Sequence, residues 1–393
     1  MAGSWPWTRE PATTCHWLVD PFVIGIDGQA RRPTIDDVAR HTRLGDALPL
    51  VEQIHMMDDT IPDLDPHVSE LRGIEAFVAN TTTAYHCAPG SLEGTRYWIE
   101  VAQIMAGGSL TENPILGAYV PSVSPLVLTE FNTQQLRMFL EAGALCNVGP
   151  CAIAGASAPY TTAGLLVQSW AEFLAMLVAA QAIAPGCTIL GGGGGAHHMD
   201  MRSAQSMYSG VTKALASAAM NELAAWLGLP VISGNFTTLC SNFGVQNGVE
   251  SVFGAFATLG SPVNLFGHMG SMANAVGMSP AQIVIHHDLV ETFEQFRRGI
   301  DTAPDRLAVE SIVAVGAHGS FLEEQLTLDN LRSGEHDFAP TFEVCEGTRD
   351  RTTMAEHAHE RAEQLMAPHQ PAVPADRLEQ VRRYVERELA ELG

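Results

Sequence analysis

From Gly73 onward, short runs of apolar residues alternate with longer stretches in which apolar positions recur every three or four residues. Breaks rich in Gly, Pro, Asn or Ser separate them. Bare apolar runs suit parallel strands buried on both faces, and the longer periodic stretches suit helices. The pattern predicts strands at Ala76–Asn80, Leu116–Val120, Ala144–Val148, Thr188–Leu190, Pro230–Ser233, Pro262–Phe266 and Ser311–Val315. It predicts helices at Glu93–Ala106, Asn132–Ala142, Thr162–Ala184, Val211–Leu227, Val245–Leu259, Pro280–Gly299 and Thr353–Leu365. Repeated βα units of this number, with no GxGxxG opening a helix after the first strand, favour an α/β fold of the TIM type. A (β/α)8 barrel is therefore expected over residues 73–345, preceded by an irregular and helical segment at 1–72 and followed by a helical tail at 346–393.

Within the first segment, Thr34 can cap a helix that carries Asp36 and Asp37 in its first turn and runs towards Leu44. The most apolar long stretch, Gly164–Ala184, contains Gln168, Glu172 and Gln181, which are costly in lipid. A buried helix fits it better than a membrane span. Beyond the Pro-rich Pro368–Pro374, Ala375–Leu392 forms a charged helix with Glu379/Arg383 and Arg387/Glu391 one turn apart. A solvated terminal helix is the expectation, with a subunit clasp or partner-docking element as the alternative.

Charge narrows the partners. With 21 Lys and Arg against 44 Asp and Glu in 393 residues, the formal net charge is −23. Such a field repels nucleic-acid phosphates and anionic membrane surfaces and attracts small cations. Seven Cys without a CxxC pair suit free thiols in a reducing, cytoplasmic setting, and Met1–Thr14 lacks the basic-then-apolar pattern of a secretory signal.

In a barrel of this type the chemistry sits just past the C-terminal strand ends. Those positions carry Tyr85, His86 and Cys87, then Gly191–Gly195 with His197, His198, Asp200 and Arg202, then Phe236 to Cys240, His268, and His318 to Phe321. The glycine run is not followed by GxxxxGK[ST], so close backbone approach explains it better than a phosphate cradle. His86, His197, His198, His268, His318, Asp200 and Cys240 are of the types that bind zinc, but no HExxH joins them. His286-His287-Asp288 reads as a helix-terminus feature. No GxSxG is present, and Cys87 and Cys240 stay open as thiol nucleophiles, with inert buried cysteine the default. Gln168 and Glu172, one turn apart on an apolar helix, need partners and are expected to brace the barrel. Asp200 and Arg202 can form an ion pair beneath the pocket.

The run Gly155-Ala156-Ser157-Ala158-Pro159-Tyr160-Thr161-Thr162-Ala163-Gly164-Leu165-Leu166-Val167-Gln168, with Ala171–Ala175, Gln181 and Pro185-Gly186, strongly resembles the trimethylamine methyltransferase family, including its non-pyrrolysine glycine-betaine-type members. Arg31–Thr34, Arg43–Leu48, Ala106–Gly108, Ser124–Leu126, Asp200–Arg202, Gly228–Pro230, Gln246 with Glu250, and Gly316–Leu322 match in family order. The likeness covers about Arg31 to about Leu331.

The resemblance implies a TIM-type barrel that moves a methyl group from an N-methylated amine to Co(I) of a corrinoid (cobalamin), carried on a separate corrinoid protein. It also implies a homo-oligomer and no metal of the chain's own. Three departures stand out. The family's N-terminal helical region has no counterpart before the Arg31 block, Leu326-Thr327 replaces an expected His-Thr pair, and Val231–Leu239, where founding members carry pyrrolysine, holds standard residues. A quaternary ammonium already has a neutral amine as leaving group, so no catalytic acid or base is required for such a substrate. What it needs is a cage and an orientation. Candidate cage and binding residues are Tyr85, His86, Tyr160, Phe236, Phe243, Gln246, Glu250, His268 and Phe321, with His318 and Asp200 as orienting groups. The rival readings are a metal-dependent barrel hydrolase or lyase, and a shortened non-catalytic homologue that binds amines.

Overall fold

The computed structural model describes residues 14–15, 21–56, 61–62, 64–192, 195–333, 339–342, 353–368 and 372–392. Eight short strands alternate with eight helices: β1 Thr14–Cys15, α1 Ile35–Ala47, β2 Gln53–His55, α2 Pro66–Val78, β3 Ala84–Cys87, α3 Leu92–Ala106, β4 Leu116–Pro121 and α4 Glu130–Ala142. The chain continues through β5 Leu145–Gly149, α5 Thr162–Ile183, β6 Ile189–Leu190, α6 Val211–Trp226, β7 Ile232–Gly234, α7 Val245–Leu259, β8 Leu265–Gly267 and α8 Pro280–Arg298.

All eight strands pair in parallel. One ladder runs β2-β3-β4-β5-β6 and a second runs β7-β8-β1, with an isolated parallel bridge from Gly191 to Val231 joining them. Among the described residues no pairing joins β1 to β2, so a closed barrel is not seen there. The architecture is α/β, with the helices packed against one face of the strands.

Alternation along each strand sorts its side chains. Tyr85, Cys87, Leu116, Ala118, Val120, Cys146 and Ile189 point to the helices and join the main core with Phe77, Trp98 and Phe139. Ala84, Leu145, Leu190, Ile232 and Leu265 form a separate small cluster on the other face. Two residues further along β3 and β5, the same face presents His86 and Asn147. A small layer of strands, Ala152–Ala154, Ala196–Asp200 and Gln205–Met207, continues beyond β5 and β6 and caps that end.

Several expectations are corrected. Ala76–Asn80 is not a strand, because Asp65 caps and Pro66 opens a helix that buries Leu71, Ile74, Phe77 and Val78 at helical spacing. Ser311–Val315 lies in a helix, Val309–Val315, with no buried residue; the edge of β8 where an added strand would pair is already taken by β1. The segment before residue 73 is not merely an extension, since β1 and β2 belong to the parallel ladders. His197 to Asp200 form a strand rather than a loop, paired on both sides. The tail helix α9, Ala375–Leu392, is not freely solvated: Val381, Tyr384, Val385 and Glu388 are buried, and Arg96 donates to Glu388 at 2.6 Å.

Other expectations match. Thr34 and Asp37 form a capping box on α1, reinforced by two hydrogen bonds from Arg31 to Asp37 at 2.7 Å. Helix α5 is long and apolar enough to cross a membrane, but one of its faces, including Leu165, Phe173 and Met176, is buried in the fold. Its polar residues are engaged. Gln168 donates to Glu172 and to the Ser157 carbonyl, and Gln181 donates to the Cys187 carbonyl.

Candidate active site

A cavity of about 180 Å³ opens at the C-terminal strand ends. Strand residues His86, Tyr119, Asn147 and Gly234 line it together with His268 just past β8, and the capping layer adds His197 and Tyr208. The site thus draws on four strands, the turn after β8 and the cap.

Glycine sets its shape at two points. At Gly192, φ is +136° and a Cβ would meet the Ile232 carbonyl oxygen at 2.1 Å. At Gly195 a Cβ would overlap the Pro150 carbonyl. Close backbone approach therefore accounts for the glycine run at these positions. Gly193 and Gly194 lie outside the described residues.

Among the described residues the lining is aromatic and polar without a carboxylate. Tyr208 lies against His197 with ring centroids 4.2 Å apart. Burial, aided by the nearby charges of Lys213 and His268, holds the His197 imidazole well below its usual range and keeps it neutral at pH 7. Lys213, the chain's one lysine, is buried on α6 and drawn down to about 7 by burial. Asn147 Oδ1, His197 Nδ1 and Ser233 Oγ belong to lining residues and are buried with no hydrogen-bond partner among the described residues. Orphaned polar atoms of this kind cost free energy unless a ligand meets them. Below the cavity, His86 Nδ1 and His55 Nδ1 lie 3.0 Å apart, and both rings are buried.

Of the residues singled out in the sequence, His86, His197 and His268 come together here, with Gly191, Gly192 and Gly195 of the glycine run. The candidate cage and orienting residues other than His86 and His268 lie elsewhere. Tyr85 packs edge-to-face on Phe77 on the helix side of β3. Phe236 stacks on His286 at 4.2 Å in the core, and Phe243 packs partly buried against the same core. Gln246 donates to Glu250, which accepts from the Leu239 N–H at 2.7 Å and so braces the β7–α7 connection. Tyr160 is exposed beside the cap, its hydroxyl 3.5 Å from the Met199 carbonyl. Asp200 accepts from Ser203 and pairs with exposed Arg202 at 3.1 Å, contacts that hold its carboxyl below the usual range. His318 and Phe321 sit on an exposed segment beyond Val309–Val315, and Leu326-Thr327 falls in a further helix, Gln325–Ser333.

Neither cysteine is an activated nucleophile. Burial pushes the Cys87 thiol well up, and burial together with Glu250 raises that of Cys240. Cys15 and Cys345 have no described side chain. Among the described residues, the metal-capable group of three is His287, Asp288 and Glu291 on α8, none of which lines the cavity.

Tyr119, Asn147 and Tyr208 were missed in the sequence. For Tyr119 and Asn147 a signal existed: each interrupts an apolar strand two residues after an inward-facing position. Tyr208 lies just after a cap strand and carries no comparable mark.

An α/β chain with a small polar-aromatic cavity at its C-terminal strand ends has the layout of a barrel-type enzyme. The family described as "Trimethylamine methyltransferase (MTTB)" matches residues 16–393, and the chain belongs to it. Over 361 residues it is 26% identical to a glycine betaine methyltransferase of Desulfitobacterium hafniense (strain Y51), covering 89% of this chain and 74% of that protein. Over 323 residues it is 25% identical to a trimethylamine methyltransferase MttB of D. hafniense (strain DSM 10664 / DCB-2), covering 80% of this chain and 63% of that one. A solved structure titled "hydroxylamine MtmB complex" aligns with 98% of this chain and 73% of its own at TM-score 0.50 and 12% identity, a likeness of fold alone.

Proposed function

We propose that the protein is a cytoplasmic, corrinoid-dependent methyltransferase that takes a methyl group from a quaternary amine of the betaine type, on eight βα units closed as a TIM-type barrel. The observation that carries this reading is the cavity: aromatic faces and neutral imidazole surround it, and three polar atoms of its lining lack partners.

A trimethylammonium group suits the Tyr119 and Tyr208 rings, each worth roughly 0.5–2 kcal/mol when the cation lies within about 6 Å of the face. Neutral His197 does not repel it. The carboxylate end of a betaine can accept from the Ser233 hydroxyl, which fixes the N–CH₃ direction, while the orphaned Asn147 Oδ1, an acceptor, suits the cationic end. Methyl departure leaves a neutral tertiary amine, so no lining residue has to act as acid or base during bond cleavage.

Reduced cobalt of a bound corrinoid would supply the nucleophile. The residues fit that division of labour. A cavity of about 180 Å³ admits a small amine but not a corrin ring. Leu126, Val127, Leu128, Tyr160 and Met201, exposed around the C-terminal rim, would meet the partner protein that carries the corrin.

Mixing the purified protein with cob(I)alamin and a panel of N-methylated amines tests the proposal. At least one quaternary amine is expected to give methylcobalamin, visible in the absorption spectrum. No methylcobalamin across the panel overturns it. Stoichiometric zinc lost together with activity on chelation would favour the hydrolase or lyase reading instead.

A further inference from the structure

Two cavities meet at one pair of histidines. His86 lines the reaction cavity, while His55 lines a second cavity of about 330 Å³ between β2, β3 and the starts of α2 and α3. The second cavity reaches the surface, since Leu64, Pro66, Ala88 and Gly90 on its wall are exposed. His55 and His86 are register partners on β2 and β3, each less than 4% exposed, with Nδ1 atoms 3.0 Å apart. Two ring nitrogens at that distance share one proton: one donates and the other accepts. A proton entering one ring at its far nitrogen can thus leave the other ring at its far nitrogen.

Resting on the function proposed above, we infer that His55 and His86 form a proton relay that delivers solvent protons to the amine product from the second cavity. The C–N bond breaks with its electron pair left on nitrogen, and the methyl group departs towards cobalt. The nitrogen lone pair then takes the proton of His86 Nε2–H. His86 Nδ1 takes the shared proton from His55 Nδ1, and His55 Nε2 takes one from solvent in the second cavity. One proton moves from solvent to amine, and both rings stay neutral overall.

The relay answers a specific need. While a corrin-bearing partner covers the mouth, the reaction cavity is cut off from bulk water on that side. An alkylamine holds its proton up to about pH 10, so at pH 7 protonation lowers the free lone pair about a thousandfold and suppresses methyl return to it to the same degree. His197 cannot take the relay's place, because burial keeps the ring from gaining the extra proton it would have to hand on.

The test uses the full chain and N,N-dimethylglycine, the tertiary amine that glycine betaine leaves. By NMR, with cobalamin added to cover the mouth, the N–H of the bound ammonium is expected to exchange rapidly with solvent in the wild type and about a hundredfold more slowly in His55→Phe. His55→Gln, which keeps a polar group in place but cannot pass a proton between two ring nitrogens, is expected to slow exchange equally and serves if the Phe variant does not fold. In stopped flow with cob(I)alamin and a pH indicator, proton uptake is expected to keep step with methylcobalamin formation in the wild type and to lag behind it in both variants, whatever the rate of the methyl step. Uptake in step, or fast exchange, in a folded variant overturns the relay alone. Failure of the wild type to form methylcobalamin from any amine overturns the functional reading and the relay with it.

Discussion

His286 is where acid meets the interior. Its Nδ1 accepts from the Gly270 N–H at 2.9 Å, which places the neutral proton on Nε2, 3.0 Å from Ser251 Oγ. Phe236 stacks on the ring at 4.2 Å, and burial pulls its pKa down to about 3. An unfolded chain protonates this group near pH 6.5, whereas the folded chain resists until about 3, so between those values the unfolded state binds the extra proton. Stability is therefore complete above about pH 6.5 and drains away as pH falls towards 3, by on the order of 4 kcal/mol from this residue. Urea unfolding of His286→Gln between pH 7 and 4 is expected to show a visibly shallower pH slope than the wild type. Equal slopes would contradict the assignment. At this scale the sequence was partly legible: His86 and His268 were placed at the site because they follow apolar runs of a barrel pattern, while Tyr85, packed on Phe77 on the helix side of β3, and Phe236, stacked on His286 in the core, point away from it. Side-chain facing depends on strand start, and a one-residue error in placing β3 reverses the reasoning.

Helices were read well because their apolar spacing and caps are local. Thr34 with Asp37, and Thr353 with Glu356, close capping boxes at the starts that sequence marks. Strands two or three residues long carry no periodicity of their own, which is why β2 passed unnoticed and a helix end took the place of β3. Polar anchors connect these elements to the site. Glu172 on α5 accepts from Ser122 and Ser124 hydroxyls at 3.0 and 2.7 Å and from the Leu126 N–H at 3.0 Å, and so holds the β4–α4 connection beside the cavity mouth. Burial alone would raise its pKa; the bonds from Ser124, Leu126, Gln168 and Ser122 outweigh burial and hold it low. Removing the carboxylate strands several buried donors, each costing roughly 1–3 kcal/mol if nothing replaces the acceptor. Glu172→Ala is expected to lower the urea midpoint by an amount equal to at least about 2 kcal/mol and to loosen the loop around Leu126, seen as faster amide exchange there. A variant as stable as the wild type would show that the network is idle.

Across the whole molecule, the alternation of strand and helix fixed the class of fold, and the ladder order β2-β3-β4-β5-β6 and β7-β8-β1 follows from parallel strands joined by helical crossovers. What local patterns could not reveal was the return of distant chain: β1 pairing with β8 across some 250 residues, and α9 packing on α2 and α3 through Arg72 to Glu386 at 2.8 Å and Arg96 to Glu388 at 2.6 Å. Both contacts join the ends of the chain to its middle. Under the proposed function, the mouth that this architecture builds is a cage for a permanent cation beneath an exposed rim. A crystal structure of the protein soaked with glycine betaine tests it most directly. The trimethylammonium group should lie within about 6 Å of the Tyr119 and Tyr208 ring faces, with one methyl directed out of the mouth. Betaine bound only in the His55 cavity, or a mouth blocked by the chain's own side chains, would contradict the account.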